Sequence, residues 1–167
     1  MEYTRITHPF PPVYDAYSRV LILGSLPSVR SRAEGFFYGH PRNRFWPLLA
    51  RLLEEPVPVT IEEKRALALR HHIALWDVIL SCEIRGSADS SIRHAVPTDL
   101  SPILAAAPIR AVFCNGQTAG AYYRRYQAPL TGREAIVLPS TSPANAACAM
   151  DRLADAWQCI LPYLRIG

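Results

Sequence analysis

The sequence predicts an α/β fold, a single three-layer α/β/α domain over residues 1–167 with a central four-stranded parallel sheet. Three observations predict it. Four short runs are apolar nearly throughout and rich in Val and Ile, as strands buried on both faces are. Helical patterns separate them, and strands alternating with helices give a parallel sheet covered on both sides. A length of 167 residues with 50% hydrophobic content supports one full core and no second domain.

The strands, in order, are residues 19–23 (RVLIL), 72–80 (HIALWDVIL), 109–114 (IRAVFC) and 135–139 (AIVLP), each bounded by polar, Gly or Pro residues. Between the first two, Phe45, Trp46, Leu48, Leu49, Leu52 and Leu53 form one apolar helical stripe. Thr60-Ile61-Glu62-Glu63 then opens a second helix with a capping-box signature. A short helix is expected near residues 98–106 and a longer one over 116–126. The last helix carries Met150, Leu153, Ala154, Trp157, Ile160, Leu161 and Leu164 at helical spacing. No internal repeat, low-complexity tract or linker interrupts this order.

Composition narrows the function classes. No apolar run reaches the roughly 18–20 residues a membrane span needs, and Met1-Glu2-Tyr3-Thr4-Arg5 leads into no apolar signal region. A cytoplasmic, monomeric protein without a membrane partner is the expectation. Cys82, Cys114, Cys148 and Cys159 contain no C-x-x-C pair, which argues against a zinc ribbon or a four-cysteine iron–sulfur cluster. Cys148 and Cys159, read as one helical stretch, stand about 16 Å apart, beyond the about 7 Å a disulfide spans. Four reduced thiols and no metal are expected.

The net charge is +4, and seventeen of the eighteen basic residues are Arg. Arg grips phosphate bidentately, which suits a nucleic-acid partner, although a GC-rich genome also favours Arg codons. The only lysine, Lys64, limits any Schiff-base chemistry to that residue or the terminal amine.

In a parallel sheet the functional groups sit beyond the carboxyl ends of the strands. Four segments occupy that edge: residues 24–39, 81–91, 115–116 and 140–145. The first holds the turn Gly24-Ser25-Leu26-Pro27-Ser28 and continues into Gly35-Phe36-Phe37-Tyr38-Gly39-His40-Pro41-Arg42-Asn43-Arg44-Phe45-Trp46. It is too polar and Gly-rich for a connection that only covers the core, though loop polar residues often serve only backbone groups.

These two motifs resemble the uracil-DNA glycosylase superfamily, and more narrowly its hypoxanthine-DNA (deoxyinosine) glycosylase branch. The resemblance runs on through Leu75-Trp76-Asp77-Val78, Ser81-Cys82-Glu83-Ile84-Arg85-Gly86-Ser87, Asn115-Gly116 and Ser140-Thr141-Ser142-Pro143-Ala144-Asn145, at all four strand ends. It implies a monofunctional enzyme that flips a deaminated base out of DNA and hydrolyses its N-glycosidic bond, with no cofactor. Hypoxanthine is the first expected base, with uracil or xanthine beside it. A non-catalytic DNA-binding member of the same fold is the alternative. A serine hydrolase built on Ser25 lacks a Gly-x-Ser-x-Gly elbow.

Residue by residue, the resemblance implies that Gly24, Ser25, Leu26, Tyr38, Asp77 and Asn115 bind the base. Ser28, Arg42, Ser140, Ser142 and Asn145 would contact DNA. Several branches carry Asp or Asn where this chain has Leu26, and the hypoxanthine branch places the catalytic role on the Asn that is Asn43 here. Its amide would hold a water with the carbonyl oxygen and donate from the NH₂; the other reading is a cap for the helix near Phe45. Tyr38 falls where relatives stack an aromatic ring on the flipped base, a contact worth ~1–3 kcal/mol.

Asp77 can only accept when ionised, so it would pair with the N1–H of hypoxanthine or N3–H of uracil and repel adenine N1. Bonding to loop amides is its alternative. Ser142 stands where relatives carry His or Asn, at what reads as a helix start suited to phosphate. Glu83, Ser87, Asp89, Ser90 and Ser91 form a polar loop of unresolved role, and His71-His72 reads as a helix terminus.

Overall fold

The computed structural model describes residues 2–86 and 88–165. Its first half contains β1 (Thr4–Thr7), β2 (Val20–Gly24), α1 (Val29–Glu34), α2 (Phe45–Leu53), α3 (Ile61–Arg70), β3 (Ile73–Asp77) and β4 (Ile79–Ile84). The second half adds β5 (Arg93–Pro97), α4 (Ser101–Ala106), β6 (Ala111–Asn115), α5 (Gln117–Tyr122), α6 (Ala128–Thr131), β7 (Ala135–Leu138), α7 (Met150–Trp157) and α8 (Leu161–Leu164).

The expected sheet is present. Its strand order is β3-β2-β6-β7 and every pairing in it is parallel. All residues of β2 and β3 are buried, which explains why their sequences read as unbroken apolar runs rather than alternating ones. The chain leaves β2 on one side for β3, then returns past it to β6, so the switch point of the sheet lies at the end of β2. Register sets Gly24 opposite Asp77 there, with Asn115 closing the neighbouring strand. A crevice beyond the carboxyl ends opens at such a switch point.

Local chemistry fixes the helices. Thr60 Oγ1 accepts from the Glu63 N–H while Glu63 returns a bond to the Thr60 N–H, completing the capping box of α3. Phe45, Trp46, Leu48 and Leu49 of α2 are buried, with Trp46 stacked on Phe36 and Phe45 edge-on to Trp157. The Trp46 and Trp157 ring N–H groups donate to Phe37 O and Pro139 O, at 3.0 and 2.9 Å, so two of the three core tryptophans also tie down functional loops.

The structure departs from the sequence reading in four places. The single run at 72–80 divides at Val78: β3 ends at Asp77, and β4 leaves to form a second, antiparallel sheet in the order β1-β4-β5. At the division the Val78 and Ile79 N–H groups donate to Gly24 O and Ser25 O, the last bonds to the β2 end before the chain turns away. The helix expected over 116–126 is α5 followed by a π-turn at Tyr123–Gln127. That widened turn buries Gln127, whose Nε2 donates to Val78 O at 2.8 Å. Cys148 precedes α7 and does not share a helix with Cys159, although both are free thiols as expected. The helix start expected at Ser142 is one 3₁₀ turn, Pro143–Asn145, too short to present an anion site.

No described helix is long and apolar enough to cross a membrane. Of the polar loop, Ser87 lies outside the described residues.

Candidate active site

The carboxyl ends of β2, β3 and β6 and the loop after β7 enclose a cavity of about 560 Å³. That lies within the range of ordinary ligand pockets. Its wall includes Gly24, Ser25, Leu26, Ser28, Tyr38, Asn43, Asp77, Asn115, Ser140 and Ser142. All six expected base-binding residues and the expected catalytic residue therefore converge on one site.

Two of the expected DNA contacts do not line it. Arg42 is exposed on the loop outside the cavity, its N–H bonded to His40 Nδ1. Asn145 donates from Nδ2 to Ser140 O at 2.9 Å and so braces its own loop. Ser28 and Ser142 reach the wall, but their hydroxyls accept from Ser31 N and Ala144 N, the local turn bonds of short helix starts.

The floor is Gly24. A side chain there would put Cβ 2.5 Å from Asp77 Oδ1 and 3.0 Å from the Tyr38 hydroxyl, so only glycine lets both groups approach. Asp77 is 3% exposed, and its backbone carbonyl accepts from Thr98 Oγ1 at 2.7 Å. Its Oδ2 lies 2.6 Å from His8 Nε2. Oδ1 is thereby the oxygen left over the floor.

Tyr38 sits at φ 55, a left-handed conformation that an aromatic residue adopts only under constraint. One face of its ring stacks on Phe45 at 4.1 Å between centroids. The stack leaves only the opposite face of the ring for any ligand. Burial first, and the Asp77 carboxylate second, push the phenol well above its usual range, so the hydroxyl stays protonated.

Asn43 joins a chain of hydrogen bonds across the mouth. The Thr141 N–H donates to Asn115 Oδ1, and Asn115 Nδ2 donates to Thr141 Oγ1, each at 3.0 Å. The Thr141 hydroxyl then donates to Asn43 Oδ1 at 2.8 Å, and the Phe45 N–H reaches the same oxygen at 2.9 Å. The cap reading of Asn43 is therefore real, yet the residue also lines the cavity. Both lone pairs of its carbonyl oxygen are engaged, so that oxygen does not serve as the water holder that sequence suggests. Its Nδ2 donates to no described residue and is the free end of the amide.

Sequence reasoning missed two members of this arrangement, His8 and Thr141. Thr141 is fully buried within a motif whose flanking serines drew the attention. Asp89, of unresolved role in the sequence, lines the wall with Ser25 Oγ 3.5 Å from its Oδ1. Its carboxyl is raised above the ordinary range, by desolvation first and in part by the charge of Asp77. Burial likewise pushes the Cys114 thiol under the site up to about 12, which keeps it inert. Among the described residues no cluster of His, Cys, Asp or Glu could hold a metal ion.

Comparison with known proteins decides the family. The model of the Uracil DNA glycosylase superfamily matches residues 11–161. The chain belongs to that superfamily. A Hypoxanthine DNA glycosylase of Methanosarcina acetivorans is 36% identical over 156 residues, which is 92% of this chain and 97% of the relative. A second Hypoxanthine DNA glycosylase, from Methanosarcina barkeri, is 37% identical over 138 residues, 81% of this chain and 86% of the relative. The solution NMR structure of a candidate uracil DNA glycosylase from Methanosarcina acetivorans superposes with a TM-score of 0.81 at 33% identity. It covers 96% of this chain and 99% of that one. Within this superfamily member, the matched span includes every cavity-lining residue named above and excludes His8.

Proposed function

We propose that this DNA glycosylase excises hypoxanthine from DNA, flipping the base into the cavity and hydrolysing its N-glycosidic bond. The observation that carries the choice of a deaminated base over adenine is Asp77. One carboxylate oxygen is committed to His8 and the other faces the cavity floor beside Tyr38. An acceptor there pairs with the N1–H of hypoxanthine and opposes the N1 lone pair of adenine. Among the deaminated bases, the names of the two curated relatives favour hypoxanthine.

The other groups follow from that pose. The open face of Tyr38 stacks on the base while its opposite face rests on Phe45. Negative charge develops on the departing base, and an acceptor beneath it does not help. The Asn43 Nδ2 is the donor held to meet that charge, fixed in direction because its oxygen is bonded twice. Asn43 is thus the catalytic residue, with Thr141 and Asn115 orienting it. DNA phosphates would meet Arg30, an exposed residue of the cavity lining, and Arg42 on the loop outside it, while Ser28, Ser140 and Ser142 shape the wall.

A panel of duplexes each holding one hypoxanthine, uracil, xanthine or adenine tests the proposal under single-turnover conditions. Hypoxanthine should be released fastest and adenine slowest. Equal or faster release of uracil or xanthine would overturn the choice of base.

A further inference from the structure

Asp77 has a partner that the chemistry above does not use. His8 follows β1, 69 residues from Asp77 in sequence, and its side chain is wholly buried. Its ring lies 4.3 Å from that of Trp76, edge-on to Phe10 at 4.6 Å and tilted to Phe37 at 5.9 Å. A phenyl ring would fill such an aromatic cage without burying polar atoms, so the imidazole is not explained by packing. Nε2 stands 2.6 Å from Asp77 Oδ2, while Nδ1 is buried with no hydrogen-bond partner. The carboxylate only accepts, so Nε2 carries the hydrogen.

The ring is also placed independently of Asp77. The His8 N–H donates to Leu80 O at 2.7 Å, and the preceding strand β1 pairs with β4 from Thr4↔Ile84 to Thr7↔Ser81. The antiparallel sheet thus delivers a fixed donor to the back of the carboxylate.

We propose that His8 is a positioning residue for base selection: it holds Asp77 Oδ2 so that Oδ1 alone meets the base. Without it the carboxylate turns about its Cβ–Cγ bond and offers two acceptors in a varying plane, which weakens both binding and discrimination. This rests on the proposed function for its substrate.

The test compares single-turnover release of hypoxanthine and uracil by wild type, His8→Phe, His8→Gln and His8→Met, with thermal melting of each. His8→Phe should slow hypoxanthine release by about 10–100-fold, the scale of one hydrogen bond to a charged group. His8→Gln, which restores an N–H near the same point, should recover most of that loss. The near-isosteric His8→Met should not, and this pair decides the matter if His8→Phe folds poorly. In an Asp77→Ala background the three substitutions should give equal rates.

Equal rates for His8→Gln and His8→Met beside Asp77 would overturn the proposal, as would a difference that persists with Asp77→Ala. If the wild type releases uracil and no hypoxanthine, the choice of base fails. The same comparison is then read on uracil, whose N3–H is an equivalent donor. A wild type inert on both bases overturns both readings.

Discussion

At Asp77 one carboxylate oxygen is spent on the protein and one is left for a ligand. That division sharpens what Asp77→Asn should do. The His8 donor would hold the new amide oxygen at its own side, leaving the NH₂ over Gly24, where it opposes hypoxanthine N1–H and donates to adenine N1. Discrimination between inosine and adenosine sites should shrink by about 1–3 kcal/mol, read as the ratio of single-turnover rates. An unchanged ratio in a folded variant would remove Asp77 from base reading. Legibility at this scale followed chain distance. Tyr38, Asn43 and Asp77 stand in motifs that announce themselves at strand ends. His8 sits alone in an N-terminal arm, with no periodicity or motif to link it to a residue 69 positions away.

The elements of the parallel sheet were readable because burial on both faces leaves a compositional mark. The antiparallel sheet was not, since β1 is mostly exposed and β5 alternates irregularly, with bulges in the β4–β5 register. The loop after β7 was legible as functional but not in its support. Arg44 secures it: the guanidinium donates to Cys148 O and to Asn145 O, and the Arg44 N–H donates to Thr141 O at 3.1 Å. The charge of Arg44 is thus turned inward on backbone carbonyls. Arg44→Ala should lower stability by about 1–3 kcal/mol, judged by the denaturant midpoint, because two carbonyls lose a charged donor. It should also slow base release by loosening Thr141. A variant equal to wild type in both measurements would contradict this role.

Among the described residues, the cavity lies at one edge of the sheet, and the lone lysine is elsewhere. Lys64 lies on α3 with its Nζ 5.9 Å from the centre of the Trp46 ring, and it takes no part in the cavity wall. Base release should therefore proceed without strand cleavage, because a glycosylase that nicks needs an amine to attack the sugar. Borohydride should trap no covalent complex with lesion-bearing DNA; a trapped adduct that disappears with Lys64→Arg would contradict it. The fold delivers the remaining groups together, since Gly24, Asp77 and Asn115 end adjacent parallel strands.

That convergence gives its meaning to Asn43, whose amide is fixed by Thr141 and Phe45 and free only at Nδ2. The most direct measurement is single-turnover release of hypoxanthine from one inosine-containing duplex by wild type and Asn43→Ala, with the fold of both verified by thermal melting. The rate should fall by about 10²–10³, the usual loss when one preorganised donor is removed from an active site. A folded Asn43→Ala variant that releases hypoxanthine at the wild-type rate would return Asn43 to the role of a helix cap.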